Sequence, residues 1–177
     1  MEQRVFGKKD AVWLGFLGIM ALLPLVPVME ANSFHLHVLI LILLFASMAQ
    51  AWNIIGGYCG QVSFGHSVFF GIGAYGAGMA VVTYGGAPWP GILIGMALAG
   101  AVAVVISYPC FKLSGHYFAI ATFAIVEIFN RSFLVWDWVN GALGLDYPVI
   151  EEGLRNLMWY DSKTAYYYLA LVLFLMI

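Results

Sequence analysis

Long uncharged apolar runs separated by short polar breaks dominate the chain. A bilayer crossing takes about 20 residues at a rise of about 1.5 Å each, and on that measure the runs at 11–29, 36–55, 67–83, 91–108, 117–136 and 165–177 are predicted helices. Arg4, Lys8 and Lys9 precede the first run. It is too long for a signal-peptide core of about 7–15 residues, and no clear small-x-small cleavage site follows, so it reads as an uncleaved helix that Pro24 and Pro27 kink or end. The last run stops while still apolar after 13 residues. The expected fold is therefore all-α: a polytopic transmembrane helical bundle of five complete helices plus a truncated sixth, forming one partial domain over residues 1–177.

Composition agrees with the pattern. Hydrophobic residues make up 63% and charged residues 9% of the 177, against roughly a quarter charged in ordinary globular domains. The net charge of -2, with no basic block, points to neither nucleic acid nor an anionic surface as a partner. Cys59 and Cys110 form no disulfide framework, and both read as packing cysteines on the reduced, cytoplasmic side. His35 and His37 lie on different faces of a helix with no carboxylate or thiol cluster beside them, so no metal and no cofactor is expected.

The polar breaks set orientation. The N-terminus carries three basic residues and the 109–115 loop carries Lys112, while the breaks at 30–35 and 85–90 carry none, which puts the N-terminus in the cytoplasm. The hydrophilic segment 137–163, with five acids against Arg155 and Lys163, is then extracytoplasmic, and its 149–159 core suits a short amphipathic helix at the interface. Trp89 is placed like an interfacial anchor. In the fourth run Gly91, Gly95, Ala99, Ala103 and Ser107 recur every four residues, a small-residue stripe of the kind that lets helix backbones approach closely.

Two places carry polar chemistry inside the apolar pattern. In the fifth run Glu127 sits roughly 13 Å below Trp136, with Arg131 one turn nearer the end on the same face, as an ion pair or as an intramembrane functional acid. The other place is 53–75, where glycines and uncharged polar side chains separate two apolar runs. Irregular backbone at membrane depth must pack against protein or line a wet cavity. The stretch is thus a candidate pathway element, or a turn leading into a closely packed Gly-rich helix. An enzymatic triad of Ser63, His66 and Glu127 lacks the strand–turn–helix setting of a nucleophile elbow. A passive channel, or an ion-coupled transporter with Glu127 as a proton or cation site, is a further reading.

Three stretches together resemble the inner-membrane permease subunits of the branched-chain amino acid ABC importers, the leucine/isoleucine/valine type. They are Gly-Tyr-Cys-Gly-Gln-Val-Ser-Phe-Gly-His-Ser-Val-Phe-Phe-Gly-Ile-Gly-Ala-Tyr at 57–75, His-Tyr-Phe-Ala-Ile-Ala-Thr-Phe-Ala-Ile-Val-Glu-Ile at 116–128, and Asn-Gly-Ala-Leu-Gly-Leu at 140–145. The resemblance implies a bacterial inner-membrane subunit that is not itself an enzyme. Its implied partners are a second permease subunit, two cytoplasmic ATPases and an extracytoplasmic substrate-binding protein. Asn53, Gly60, Gln61, Ser63, Gly65, His66, Gly73 and Tyr75 match the family's signature stretch, and Glu127 its fifth-helix acid. Sister permeases for urea and short-chain amides share much of the pattern. The family's later ATPase-engaging loop has no counterpart here, in keeping with the expected truncation.

The orientation has a direct check. Asn156→Cys is expected to react with an impermeant thiol reagent in intact cells and Ser114→Cys is not; the opposite labelling would invert the topology.

Overall fold

The computed structural model describes residue 15 and residues 17–25, 34–85, 87–149 and 151–177. Five labelled helices follow one another: α1 (Phe34–Asn53), α2 (His66–Tyr84), α3 (Pro88–Cys110), α4 (His116–Val135) and α5 (Thr164–Met176). Among the described residues every labelled element is a helix, and the spans Phe34–Tyr58, His66–Thr83, Pro88–Cys110 and His116–Val135 are each long and apolar enough to cross a membrane, while Thr164–Met176 is shorter. Helix is what such runs must form, because only intrasegment bonding satisfies backbone polar groups in lipid. Of the span expected at 11–29, residues 15 and 17–22 are helical and Leu23–Leu25 make a 3-10 turn; the remainder, with the basic N-terminus and residues 30–33, lies outside the described residues.

Several ends differ from expectation for local reasons. The span expected at 36–55 continues past α1 as a π turn, Ile54–Tyr58. α3 begins at Pro88, inside the break expected at 85–90, because proline is well suited to a first helical turn, where its missing donor is not needed. The same helix runs through Pro109 to Cys110 instead of stopping before the proline. Gly85 caps α2 with φ +61° and donates its amide to the Val81 carbonyl at 2.8 Å.

The chain divides into two compact units. One contains residues 1–47 and 159–177, with Leu36, Leu43, Tyr167, Ala170 and Leu171 as its buried cluster. Pro24 has no amide hydrogen, so the Met20 carbonyl one turn earlier loses its intrahelical donor. The Tyr167 hydroxyl takes that place, donating to Met20 at 2.7 Å.

The other unit, residues 48–158, is built on the pairing of α2 with α3, the most closely packed helices of the described chain. Gly91 and Gly95, the first two positions of the small-residue stripe, are buried in that contact. A Cβ on Gly91 would lie 2.7 Å from the Ala77 carbonyl, one on Gly95 would collide with the Gly73 carbonyl, and one on Gly76 would lie 3.1 Å from the Gly95 Cα. Ala99 and Ala103 continue the row, half-buried.

The segment after α4 folds differently from the amphipathic helix expected at 149–159. Gly153 and Met158 form an isolated antiparallel bridge, with the Gly153 amide donating to Met158 at 2.9 Å; Leu157 has φ +51°, and Ile150 lies outside the described residues. Asn156 Nδ2 donates to the Glu151 carbonyl and Trp89 Nε1 to the Leu154 carbonyl, tying the turn to itself and to the start of α3. A left-handed residue and a glycine inside one short stretch favour a turn over a helix.

Close approach at Gly95 makes a prediction. Gly95→Ala is expected to destabilise the protein by about 1–3 kcal/mol through overpacking against backbone, whereas Gly100→Ala, whose Cβ would meet nothing within 4 Å, is expected to be neutral or slightly stabilising. Thermal unfolding in detergent compares the two, and equal stability would contradict the α2–α3 geometry.

Candidate functional site

The stretch from Asn53 to Tyr75 begins where α1 widens into its π turn. Gly56 and Gly57 permit that turn locally: a Cβ on Gly56 would lie 2.6 Å from the Trp52 ring, and one on Gly57 would collide with the Asn53 side chain. Gly60 turns the chain with φ +65°, and residues 60–64 have no regular structure.

Helical side chains satisfy this irregular backbone. Trp52 Nε1 donates to the Ser63 carbonyl at 2.7 Å, and the Phe64 amide donates to Thr122 Oγ1 of α4 at 3.2 Å. Thr122 Oγ1 itself donates to the Ala119 carbonyl at 3.0 Å. Within the loop the Gly65 amide donates to Ser63 Oγ at 3.2 Å, and the Gln61 amide to the Ile55 carbonyl at 3.2 Å. Ser63, Gly65 and Thr122 are buried around a cavity of about 30 Å³, roughly the volume one water occupies in the liquid.

Two buried atoms of the stretch stand apart. Gln61 Oε1 and His66 Nδ1 find no hydrogen-bond partner among the described residues, although a buried polar atom left unpaired typically costs about 1–3 kcal/mol. Both belong to residues of the signature stretch, and neither carries a formal charge with histidine neutral.

The remaining residues expected at the site are distributed differently. Asn53 and Gly60 are exposed, at the end of α1 and in the loop. Gly73 is drawn into the α2–α3 contact, its carbonyl facing Gly95. Tyr75 lies against Phe133 of α4, with ring centroids 4.7 Å apart, and both line a cleft between α2 and α4 of about 350 Å³. Ser67, Gly71 and Asn130 also line this cleft. Trp52 and Thr122, which hold the loop, were visible in the sequence only as an aromatic in an apolar run and one hydroxyl in a helix. A bilayer's demand for hydrogen-bond donors and acceptors near every loop is the signal that would have singled them out.

Glu127 is not in the cleft lining. Its Oε1 accepts from Arg131 Nε at 2.7 Å, with the two side chains 47% and 77% exposed. Ser63 Oγ accepts from the Gly65 amide and Glu127 from Arg131, and among the described residues no hydrogen bond links Ser63, His66 and Glu127 to one another. Each charge alone would cost roughly 2.5–3.5 kcal/mol at the centre of a spanning helix, and pairing offsets part of that. A charge-swapped protein carrying Glu127→Arg with Arg131→Glu is expected to accumulate in the membrane better than Glu127→Gln or Arg131→Gln. Immunoblotting of membrane fractions measures this, and normal levels of both single variants would remove the pair's role.

No curated protein and no solved structure matches the chain. The family described as branched-chain amino acid transport system / permease component matches residues 34–177, which take in the π turn, the tethered loop, the cleft and all five labelled helices. This multi-pass membrane protein therefore belongs to the branched-chain amino acid transport permease family.

Proposed function

We propose that the chain is a membrane-spanning subunit of an ATP-driven importer and carries branched-chain amino acids, or related small polar solutes such as urea or amides, across a bacterial inner membrane. The observation that carries this reading is the family match over residues 34–177. On this reading the subunit pairs with a second permease subunit, receives solute from an extracytoplasmic binding protein and is driven by two cytoplasmic ATPases. The N-terminus and the Lys112 loop face those ATPases, and the 137–163 segment faces the binding protein.

The Asn53–Tyr75 stretch lines or gates the pathway. Its backbone is anchored through Trp52 and Thr122, while Gln61 Oε1 and His66 Nδ1 keep unused hydrogen-bonding capacity. Neutral acceptors suit a zwitterion that must pass without being held, since a lone charge in a low-dielectric path binds its counter-charge far more tightly. The same geometry argues against an ion-coupled carrier built on Glu127, because the carboxylate already faces the permanent cation of Arg131.

The test is leucine uptake by the permease assembled with its partner subunits, with membrane levels checked for each variant. Gln61→Leu, Gly65→Leu and His66→Leu are each expected to slow uptake about tenfold or more, of the order of one or two lost hydrogen bonds or a blocked passage. Wild-type rates in all three would make the stretch a scaffold.

A further inference from the structure

The α2–α4 cleft has features that helix packing does not explain. Its volume of about 350 Å³ falls in the range of small-molecule sites, about 300–1,000 Å³. One part of its wall is apolar, from Ile72, Val126 and Phe129; another is polar, from Ser67 and Asn130. Asn130 is exposed, and its amide makes no hydrogen bond among the described residues, so it is free to bond a solute in the cleft. Tyr75 and Phe133 line it in ring contact, about 12 Å along α2 from Ser67.

Gly71 supplies an independent observation. A glycine inside a helix is less stable than alanine and is usually retained for close packing or positive φ. Neither reason holds here: Gly71 has ordinary helical backbone, and a Cβ on it would meet nothing within 4 Å. Gly100 of α3 is equally unobstructed, but it lies on an exposed face, whereas Gly71 is half-buried and lines the cleft. Its missing side chain keeps the cleft open.

We propose that this cleft is a holding site for an amphipathic solute of amino-acid size, with its aliphatic part on Ile72, Val126 and Phe129 and its polar head on Ser67 and Asn130. The assignment rests on the importer reading and adds to it a location, a polar anchor and an aromatic pair in the wall. With no charged group in the lining, the head must be neutral overall, as a zwitterion is. The apolar wall favours a branched aliphatic solute over urea, which has no hydrocarbon part to bury.

Three measurements on the permease assembled with its partners test the site. Gly71→Leu, which fills the cleft without a backbone clash at its Cβ, is expected to cut leucine import about tenfold or more at normal membrane level, and Asn130→Leu to raise the KM about tenfold with a smaller change in kcat. In a Cys59→Ser, Cys110→Ala background, Ser67→Cys is expected to react with a small permeant maleimide more slowly when leucine is saturating. Ile128→Cys, exposed on α4 away from the cleft, is expected to react at the same rate with or without leucine. Normal import by Gly71→Leu together with unprotected Ser67→Cys overturns the holding site and leaves a cleft filled by lipid or by a neighbouring helix, with the importer reading intact. An unmutated assembly that imports urea or a short-chain amide but not leucine overturns the holding site and leaves the importer reading intact, whereas one that imports none of these solutes overturns both.

Discussion

The scarcity of hydrogen-bond partners in a bilayer is the constraint on which the 48–158 unit depends. Between α1 and α2 the chain leaves regular helix, and hydrogen bonds from within the protein hold that irregular backbone. Two of these bonds come from side chains on the neighbouring helices. Trp52 reaches forward from α1 to the Ser63 carbonyl, and Thr122 reaches across from α4 to the Phe64 amide. Both have hydrocarbon that sits comfortably in an apolar setting and one polar atom that can be aimed. A charged side chain in either place would satisfy the backbone but bring its own solvation cost. The loop can therefore be polar in its backbone and neutral in its side chains at once.

Glycine serves unlike purposes along this unit. At Gly91 and Gly95 it removes side chains so that α3 backbone meets α2 backbone, a contact that dispersion forces alone must hold in lipid. At Gly141 the left-handed φ of +50° and the Leu134 carbonyl, 2.9 Å from any added Cβ, together leave room for no other residue. The Asn140–Leu145 turn gains from this, with Asn140 Nδ2 closing it on the Gly144 carbonyl at 2.9 Å and Leu145 resting on Gly78 of α2. At Gly71 the absent side chain leaves space instead of contact.

The helical class was legible because a spanning helix announces itself by length and composition, and neither depends on what packs beside it. Helix ends were less legible. Pro88 starts a helix where proline content suggested a break, and Gly56 and Gly57 extend one where glycines suggested its end. The 149–159 segment has the spacing of an amphipathic helix, yet left-handed Leu157 and the Gly153–Met158 bridge fold it back. The cleft was hidden for a different reason. Runs that are apolar on every side give no indication of which face meets which neighbour, so the meeting of Tyr75 with Phe133, or of Phe64 with Thr122, is decided by tertiary packing that the sequence pattern does not encode. The period-four row in α3 is the exception, since small size marks a face even where polarity does not.

α2 thus has one face locked and one face open. Towards α3 its glycines and alanines are in backbone contact, and such interfaces resist gradual deformation because a small displacement forfeits much of the attraction. Towards α4 it meets its neighbour through ring contacts and the cleft, where a change of separation breaks few bonds. Irregular backbone lies near this side of α2: the tethered loop at Ser63–Gly65 precedes the helix, and the Asn140–Leu145 turn lends Gly141 to the cleft wall and rests Leu145 on Gly78. Irregular backbone accommodates changes in φ and ψ that a hydrogen-bonded helix does not. The α2–α3 side of the unit is thus its tightly packed part, and the α2–α4 side holds its open space.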